Sequence, residues 1–446
     1  MHVFKPFLAL FVGLALTVPA WAQEFKIYTQ HPRLFLSAQR LRLLQRERER
    51  NSMRWEQFDR LISGRARMPE QGFALALYYR VSGDTQAGLR AVQWALGPAS
   101  DLRQLALVFD WCQPLLDEQQ SRALVLKLQQ GLQPAPRAKT VAEIRSRVLA
   151  AVALADHLPN TPELTLQSVV QQWWNSQVIP ALKRGNDALP RDDLYALLEI
   201  LHALRDNLEL DLREPFPAFF KQLPLYHLIS HYPASYPAGE NEYRIPAGKP
   251  GEPDLRRAAL SRATELAMLA YDSNALESQY LQGWLMHDHF LLRGPFGIPY
   301  EFLWANPYHP GLSYYQLPLI FHDELFGRLF LRSSWDDDAV WLGYFDGQLQ
   351  VFEKGEPKAI PLKTALGPIQ IGDTVVIPAS NPLRFSPATE VNRVFLIGLP
   401  PLRAYDVEVD DEEMREEKTD RGGILKLDFP GGLRGGLRMK QSAPRQ

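Results

Sequence analysis

The sequence contains very little cysteine, since Cys112 is the only one among 446 residues, and an intramolecular disulfide is therefore excluded. Cys112 lies in the apolar, helix-like stretch VFDWCQPLL, which predicts a buried and unreactive thiol. An excess of charge of either sign is also missing, because 49 Lys and Arg stand against 51 Asp and Glu, for a net charge of -2. A chain this neutral has no electrostatic reason to bind nucleic acid.

Long hydrophobic runs are absent after the N terminus, so nothing later in the sequence predicts a membrane-spanning helix. The first residues, MHVFKPFLALFVGLALTVPAWAQ, combine a lysine, a short apolar run and the sequence Ala20-Trp21-Ala22. This order is typical of a secretory signal with an A-x-A cleavage site. We therefore expect residues 1–22 to be a signal peptide. The remainder is expected to be exported, to the periplasm or the extracellular space, with no membrane association after cleavage.

The residues that follow, up to 325, have the pattern of a helical domain. Ser37 predicts the N-cap of a leucine-rich helix, and Gly83 followed by Asp84 predicts the end of one helix and the cap of the next. From residue 71 to 182 apolar residues recur at i, i+3 and i+4, and the connections are short. Such a series predicts antiparallel helical hairpins, arranged as a bundle, a solenoid or a closed toroid.

From residue 326 onward the apolar period changes to two, in segments such as GRLFLRSSW, AVWLGYFDGQLQVF and NRVFLIGL. Asp346-Gly347 and Lys354-Gly355 are turn signals between such segments. The acidic run 410–417 predicts the end of an exposed hairpin. We expect an all-antiparallel β domain, a sandwich, over residues 326–446, and a chain of two domains in all.

The helix predicted to begin near Arg191 places four polar side chains on one face: Tyr195, Glu199, His202 and Asp206. If this face lines a cleft, it brings a phenol, an acid and a base together, and His202 becomes a candidate for proton transfer. If it faces water, it is ordinary helix surface, which is the more frequent arrangement.

Repeated proline and glycine exclude a long helix in the next segment, YHLISHYPASYPAGENEYRIPAGKPGEPD. A loop of this length is uncommon unless it serves as a lid or a binding wall. Its polar and aromatic side chains, Tyr226, His227, His231, Tyr236 and Tyr243 among them, favour such a role.

The densest collection of aromatic and polar side chains lies in residues 279–324, between the helical and strand-like parts. Most of this segment lacks a helical or strand period, and its aromatics and prolines predict an ordered, packed loop. His287 and His289 within it stand two residues apart, about 200° around a helix, and would point away from each other. We therefore expect no metal site and no cofactor, with His289 in the core and His287 facing the site.

Several short motifs follow one another along the chain: HPRLF before a leucine-rich helix, YYRVSGD, LVFDWCQPLLDEQQ, FLRSSWDDDAVWLGYFDG and GGILKLDF. In this order the sequence resembles the heparinase II/III-like polysaccharide lyases, and the similarity is spread over most of the chain after the signal segment. The resemblance implies an incomplete (α/α) toroid, residues 23–325, followed by an antiparallel β-sandwich, residues 326–446. It also implies β-elimination on, or binding of, a uronic-acid-containing polysaccharide where the two parts meet.

The resemblance implies roles for particular residues. The GENEYR segment stands where the tyrosine-bearing loop of these lyases is expected, so Tyr243 is the first candidate for proton transfer, with Glu240 beside it. The family's Asn-His pair is missing, since the chain has LKRGNDALPRDD there, and no histidine follows His322. His287, His309 and His322 are the histidines available as substitutes, none of them demanded by the spacing, and His287 is the one expected to transfer protons. The expected substrate-binding residues, with the aromatic ones stacking on sugar rings, are Asn241, Arg244, Trp284, Glu301, Trp304, Asn306, Tyr308 and His309.

Two other functions stay open. The missing histidines favour a catalytically inactive glycan-binding or cell-envelope scaffold protein on the same fold. A hydrolase that uses carboxylates such as Glu301 and Asp323 would instead produce reducing ends without unsaturation.

Overall fold

The computed structural model describes residues 25–98, 101–133, 140–239, 241–249, 251–288, 292–362, 367–379, 382–411, 413–433 and 435–442. The predicted signal peptide, Glu240 and His289 lie outside these residues, and so does the side chain of Asn241. Helices occupy the chain up to residue 304 apart from one hairpin, and strands follow from residue 320. The chain is therefore an α+β protein with helices first and sheets second.

Fourteen α-helices are found in the described part of the chain. They are α1 (Ala38–Glu49), α2 (Met53–Ser63), α3 (Gln71–Ser82), α4 (Thr85–Leu96), α5 (Leu102–Cys112), α6 (Glu118–Leu132), α7 (Val141–Ala153), α8 (Thr161–Ser168), α9 (Ile179–Lys183), α10 (Leu194–Leu208), α11 (Pro217–Ile229), α12 (Leu255–Tyr271), α13 (Leu276–His287) and α14 (Gly294–Trp304). A π-helical segment, Val169–Val178, joins α8 to α9. None of these helices is long and apolar enough to cross a membrane.

The predicted helix ends are confirmed where their capping residues were identified. Ser37 caps α1, because its side chain accepts a hydrogen bond from the backbone N–H of Arg40. Gly83 ends α3 with φ of 77°, in the left-handed region that glycine enters without a Cβ clash. The carboxylate of Asp84 then accepts from the first turn of α4. Local chemistry alone thus determines these boundaries.

Helix α10 is central, and both of its faces are buried. It packs against α7 on one side and α12 on the other. Tyr195, Glu199 and His202 are 3%, 0% and 0% exposed, so this part of the polar face neither lines a cleft nor faces water but lies inside the protein. Its charges are paired there: Glu199 accepts a two-pronged hydrogen bond from Arg103 at 2.7–3.0 Å and one from Arg145 at 3.1 Å.

The segment 279–324 is more helical than its sequence suggests. It contains most of α13, all of α14, with Pro299 inside that helix, and only then an extended stretch. That stretch is held against α13 at Gly283, where a Cβ would lie 1.8 Å from the carbonyl oxygen of Leu312. The backbone N–H of Leu312 also donates to the carbonyl of Gln279 at 2.9 Å. The absent side chain therefore permits the close backbone approach.

The proline-rich segment forms an antiparallel hairpin rather than a loop. Its strands are β1 (His231–Ala238) and β2 (Asn241–Pro246), and Tyr236 lies opposite Tyr243. Prolines are tolerated because the two strands pair only with each other, which leaves outer edges that need no N–H donor. The segment is thus a regular hairpin and not the long loop that we expected.

The remaining strands form three sheets. The strands are β3 (Ile320–Asp323), β4 (Arg328–Arg332), β5 (Trp341–Phe345), β6 (Gln348–Glu353), β7 (Glu356–Ile360), β8 (Ile369–Ile371), β9 (Thr374–Pro378), β10 (Leu383–Phe385), β11 (Val391–Ile397), β12 (Ala404–Val409), β13 (Glu413–Lys418), β14 (Leu425–Leu433) and β15 (Leu437–Gln441). The strand orders are β3-β4-β5-β6-β7, β14-β11-β9-β8 and β10-β15-β12-β13.

The predicted turns are confirmed, but the strand pairing is not antiparallel throughout. Asp346-Gly347 and Lys354-Gly355 have positive φ at both residues, as the two-residue turns of tight hairpins require. Strand β11 runs parallel to β9, because the connection between them leaves the sheet to form β10 in the third sheet. The first sheet also begins with β3 at Ile320, before the domain boundary expected at residue 326.

Alternation along the strands of the first sheet divides their side chains between two cores. Phe330 and Trp341 belong to the helical core, whereas Leu329, Leu331 and Leu342 pack against the second sheet. The indole N–H of Trp341 donates to the carbonyl of Ile229, the last residue of α11, at 2.7 Å. One face of the first sheet is thereby attached to the helices.

The second sheet is covered on both faces. Val394 and Leu396 of β11 contribute to the core shared with the third sheet, and Phe395 and Ile397 to the core shared with the first. Strand β11 is therefore apolar along its inner length rather than alternating with polar residues, as is usual for a strand buried on both sides.

Candidate functional site

A cavity of about 810 Å³ lies where the helices meet the first sheet. We call it the seam groove. Its tyrosine and cationic lining residues are Arg191, Tyr226, Tyr232, Tyr236, Lys249, Arg257 and Arg328. They come from the start of α10, the end of α11, the β1–β2 hairpin and its following loop, the first turn of α12, and β4. The groove is thus built by residues far apart in sequence.

Positive and negative groups both line the groove. Arg191 precedes α10 and Arg257 stands in the first turn of α12, so the N-terminal ends of both helices face this cavity. Helix N termini carry partial positive charge from unpaired N–H groups. Together with the arginine side chains they attract negative charge, but five carboxylates among the described residues line the same groove: Asp187, Asp192, Glu252, Asp254 and Asp346.

Tyr226 occupies the centre of this arrangement. Its half-buried ring lies near two guanidinium groups, with Arg191 5.8 Å and Arg328 5.4 Å from the ring centroid. No hydrogen bond to its hydroxyl oxygen comes from any residue that the structure describes. The hydroxyl is therefore free to interact with a ligand in the groove.

Arg191 is fixed from behind by a buried polar network. It donates to the hydroxyls of Ser230 at 2.5 Å and Ser261 at 2.9–3.0 Å, and lies 3.5 Å from Glu265. Burial lowers the pKa of His227 to about 4, and the charge of Arg191 acts in the same direction. Burial and Arg191 also place the pKa of His231 well below its usual range. Both histidines are therefore neutral and support Arg191 instead of facing the groove.

The other cations at the rim differ in their pairing. Arg328 forms an ion pair with Asp187, and Arg257 donates to Asp192 at 2.6 Å. Burial works against the charged form of Arg328, but Tyr226 and Asp187 outweigh it, so the arginine pKa is raised. Lys249 is exposed, and no carboxylate of the described residues lies within ion-pair distance of it. Among the described residues, the groove therefore carries mixed charge with one cation, Lys249, outside any ion pair.

Two of the predicted proton-transfer residues lie near the hairpin. Tyr243 is half-buried on β2, and His287 is exposed at the end of α13, with its ring centroid 5.8 Å from that of Tyr314. Arg244, beside Tyr243, donates to Asp288 at 2.9 Å and Asp337 at 2.8 Å. Arg244 is thus held by two carboxylates, and the pKa of Asp288 is lowered because Arg262 and Arg244 outweigh its desolvation.

His202 does not join this group, which corrects its assignment to proton transfer. The side chain is completely buried, its Nε2 lies 2.9 Å from the carbonyl oxygen of Ala267, and its ring stacks 4.5 Å from Trp304. Burial and the charge of Arg40 hold its pKa well below the usual range. A neutral histidine enclosed in this way has no path to a substrate.

The two tryptophans expected to stack on sugars are also buried. Trp284 is 5% exposed and lies under the guanidinium of Arg262, 4.3 Å away, and Trp304 is 2% exposed. Tyr308 is the exposed member of the aromatic set at 59%, and its hydroxyl donates to Glu47 at 3.0 Å. Trp284 and Trp304 therefore pack the helical core, where large aromatics contribute most.

Glu301 is an interior carboxylate rather than a surface one. It is 6% exposed and accepts the backbone N–H of Leu292 at 2.8 Å. Burial raises its pKa to about 7, partly offset by the charge of Arg54. It therefore has no contact with the seam groove through which to bind a substrate.

Three predicted residues converge on a second cavity. Trp304, Asn306 and His309 line a cavity of about 570 Å³ together with residues of α1 and the ends of α10 and α12. We call it the arginine pocket. Its cationic lining residues are Arg40, Arg42, Arg46 and Arg205. The predicted site residues are thus divided between the hairpin, the core and this pocket, and do not form one cleft.

One group of side chains has the spacing of a cation site. His31, Asp156 and His157 each offer a ligand atom within 4.8 Å of the others. Arg33 already donates to Asp156 at 2.8 Å, however, and His31 Nδ1 lies 2.5 Å from Asp110. The chain's own arginine thus neutralises the carboxylate that a cation would need.

Sequence reasoning missed the residues that surround Tyr226. Arg191, Arg257 and Arg328 belong to three separate elements, and no local pattern relates them. Tyr226 and Tyr236 did stand in the proline-rich segment expected to form a binding wall. The sequence therefore indicated the segment that contributes to the groove, but not the individual residues around Tyr226.

Comparison with known proteins adds little. No family model matches the chain, and no curated protein matches it. Among solved structures, one chain titled "Glycoside hydrolase" matches over 84% of this chain and 71% of that chain, at 10% identity and a TM-score of 0.30. At that TM-score the likeness assigns neither a family nor an activity to this chain.

Proposed function

We propose that this chain is an exported protein that binds a uronic-acid-containing polysaccharide in the seam groove and cleaves it by β-elimination. In this proposal the helical part is an incomplete (α/α) toroid and the sheets form a β-sandwich, as in the lyases that the sequence resembles. The observation that carries the proposal is Tyr226, with a hydroxyl that no described residue hydrogen-bonds and two guanidinium groups 5.4 and 5.8 Å from its ring centroid, in a groove of about 810 Å³.

The chemistry of β-elimination matches these groups. Deprotonated Tyr226 accepts the C5 proton, and the C5–H electron pair becomes the C4=C5 double bond as the C4–O4 bond breaks. The same hydroxyl then returns the proton to O4 of the leaving sugar, so proton and electrons balance without a second acid. Negative charge builds on the uronate carboxylate during proton removal, and the flanking Arg191 and Arg328 stabilise it.

The rest of the groove suits a chain of acidic sugars. Lys249 offers a charge that no described carboxylate occupies, and it fits a second uronate. Tyr236 is 38% exposed on the hairpin wall and can pack against the C–H face of a pyranose ring. The mixed charges of the remaining wall suit the hydroxyl groups of sugars.

Direct assay with Tyr226→Phe tests the proposal. The full chain is incubated with alginate, hyaluronan, heparin and heparan sulfate, and the ultraviolet absorbance of the unsaturated product is followed. Removal of one catalytic proton-transfer group costs about 10² to 10⁴ in rate, so we expect kcat to fall at least about 100-fold with little change in KM.

Tyr243→Phe is the matched control, because Tyr243 is the tyrosine that the family resemblance implies. We expect it to retain activity within about threefold. Loss of activity in Tyr243→Phe, with activity kept in Tyr226→Phe, would show that the hairpin tyrosine transfers the proton and that our assignment is wrong.

A catalytically inactive glycan-binding protein is the second candidate function. It is favoured by the two histidines behind the groove, which are buried and neutral, so that no described imidazole of this network reaches the ligand. Absence of unsaturated product on every substrate, together with oligosaccharide binding that Tyr226→Phe leaves intact, would support this function over the lyase.

A further inference from the structure

The arginine pocket lies at the end of the helical part opposite to the seam groove. Arg205 stands near the end of α10 and Ala270 near the end of α12, whereas Arg191 and Arg257 stand at the starts of the same helices. Thirteen residues separate Arg257 from Ala270, which corresponds to about 20 Å of helix. The two cavities are therefore separate sites on one pair of helices.

The pocket is strongly unbalanced in charge. Among the residues that the structure describes, four arginines line it against a single carboxylate, Asp206, which already accepts hydrogen bonds from Arg205 at 2.9–3.0 Å. Arg40, Arg42 and Arg46 have no ion pair with any carboxylate of the described residues. Glu47 of the same helix does not compensate, because it is buried and faces Arg54.

Holding the three arginines without a described ion pair, Arg40, Arg42 and Arg46, in one pocket costs the protein free energy when no ligand is bound. Arg42 and Arg46 are four residues apart on α1, so their side chains share a face and repel each other. Arg40 is half-buried, and the loss of water lowers its pKa to about 10, which keeps it charged at neutral pH. Three cations held together in this way gain from an anion placed among them.

The pocket also offers a sugar-sized space with polar groups. The pocket has a volume of about 570 Å³, and Leu43 and Leu303 form an apolar part of its lining. His309 lines it with a buried Nδ1 that has no hydrogen-bond partner among the described residues. Burial and the charge of Arg40 lower the pKa of His309, so the ring is neutral at pH 7. Asn306 adds a side-chain amide at the same edge.

We propose that the arginine pocket is a second ligand site, which binds a small molecule carrying a carboxylate, sulfate or phosphate group. Guanidinium groups recognise these oxyanions through paired hydrogen bonds. The ligand class is a saccharide acid or saccharide phosphate, because the remaining volume and the His309 and Asn306 groups suit a ring with hydroxyls. The site is independent of the elimination chemistry proposed for the seam groove.

Calorimetric titration of the full chain at low ionic strength tests this site. The probes are D-glucuronate, glucose 6-phosphate, inorganic sulfate and, as the neutral control, glucose. Binding of the anionic sugars with no detectable binding of glucose is expected. Stronger binding of glucuronate identifies a uronate site, and stronger binding of the phosphate identifies a sugar-phosphate site. Equal binding of sulfate alone and both sugars would contradict the saccharide class, and equal binding of glucose would overturn the proposal.

Charge reversal locates the binding. The double variant Arg42→Glu/Arg46→Glu changes two exposed side chains and is expected to weaken binding at least about tenfold. Arg60→Glu is the matched control, since Arg60 is also an exposed arginine in the last turn of a helix, the adjacent α2, and lies outside the pocket. Lys249→Glu, in the seam groove, tests the other cavity. Wild-type affinity in the double variant, or an equal loss in either control, would show that the pocket is not the site.

Discussion

The seam groove and the arginine pocket lie at opposite ends of α10 and α12, and their arginines differ in how they are paired. In the groove, Arg191 is bound by buried hydroxyls and Arg328 by an ion pair. In the pocket, Arg42 and Arg46 are exposed and have no described carboxylate partner. The groove arginines therefore serve the fold and the site together, whereas Arg42 and Arg46 have no such described partner and are available to a ligand.

This difference is invisible in the composition. A net charge of -2 is close to neutral, yet the fold places balanced opposite charges at one end of the helices and an excess of cations at the other. A near-neutral net charge argues against a large basic surface for nucleic acid, but it cannot exclude an anion site built from a few residues.

The largest effect should come from removing a groove arginine. Arg191→Met leaves Glu265, which is fully buried, with Arg262 as its nearest remaining cation at 3.6 Å. We expect the free energy of unfolding to fall by about 3–5 kcal/mol, the usual result of breaking a buried pair. Urea unfolding measures it. Arg46→Met is the counterpart at the pocket and should change stability by less than about 0.5 kcal/mol; similar losses in both would erase the contrast.

A carboxylate without an ion pair provides the next test. The pKa of Glu301 is raised from 4.5 to about 7 by burial, so its contribution to stability is complete below about pH 4.5 and is lost as pH rises through 7. Between pH 4.5 and 8 the wild type should lose about 3 kcal/mol relative to Glu301→Gln. Unfolding at several pH values measures this difference. Parallel stability curves for the two proteins would contradict the raised pKa.

A smaller difference between the two cavities should appear in the salt dependence of their ligand affinities. Raising the ionic strength from about 0.05 to 0.5 M screens exposed charges, so glucuronate affinity at the arginine pocket is expected to fall about tenfold. Oligosaccharide affinity at the seam groove should fall only about two- to threefold, because its arginines are partly buried and paired. Titrations of Lys249→Glu and of the Arg42→Glu/Arg46→Glu variant isolate the two responses. A steeper salt dependence at the groove would reverse the comparison.

The smallest expected effect is that of Tyr236→Ala. The ring is 38% exposed on the hairpin, so its removal should leave stability within about 0.5 kcal/mol. Oligosaccharide binding in the groove should weaken about threefold through lost packing on a sugar ring. Calorimetry with the same oligosaccharide measures it, and no change would remove Tyr236 from the binding wall.

Sequence predicted what neighbouring residues determine. Ser37, Gly83 and Asp84 predicted helix ends correctly, and Asp346-Gly347 predicted a hairpin turn, because caps and turns depend on a few consecutive residues. The change from helices to strands was also visible in the apolar period. The change of strand direction between β9 and β11 was not, since it depends on β10 joining another sheet.

Burial was the main source of error. The face that holds Glu199 and His202 has the pattern of a surface helix, but Arg103 and Arg145 reach it from other helices and neutralise it. Periodicity cannot show that a polar face will meet its counter-charges at distant positions in the chain. For the same reason Trp284 and Trp304 were predicted as sugar platforms, although arginines cover both rings.

The hydrogen bond from Trp341 to the carbonyl of Ile229 has a consequence for dividing this protein. Ile229 follows Tyr226 by less than one helical turn. The indole of Trp341, from the first sheet, therefore caps the C-terminal end of the helix that carries the tyrosine. Arg328, 5.4 Å from the ring centroid, comes from the same sheet. A fragment that stops before residue 326 would therefore retain the phenol while losing one of its two cations and the group that orients it. Expression of the helices alone is expected to yield a protein without the site.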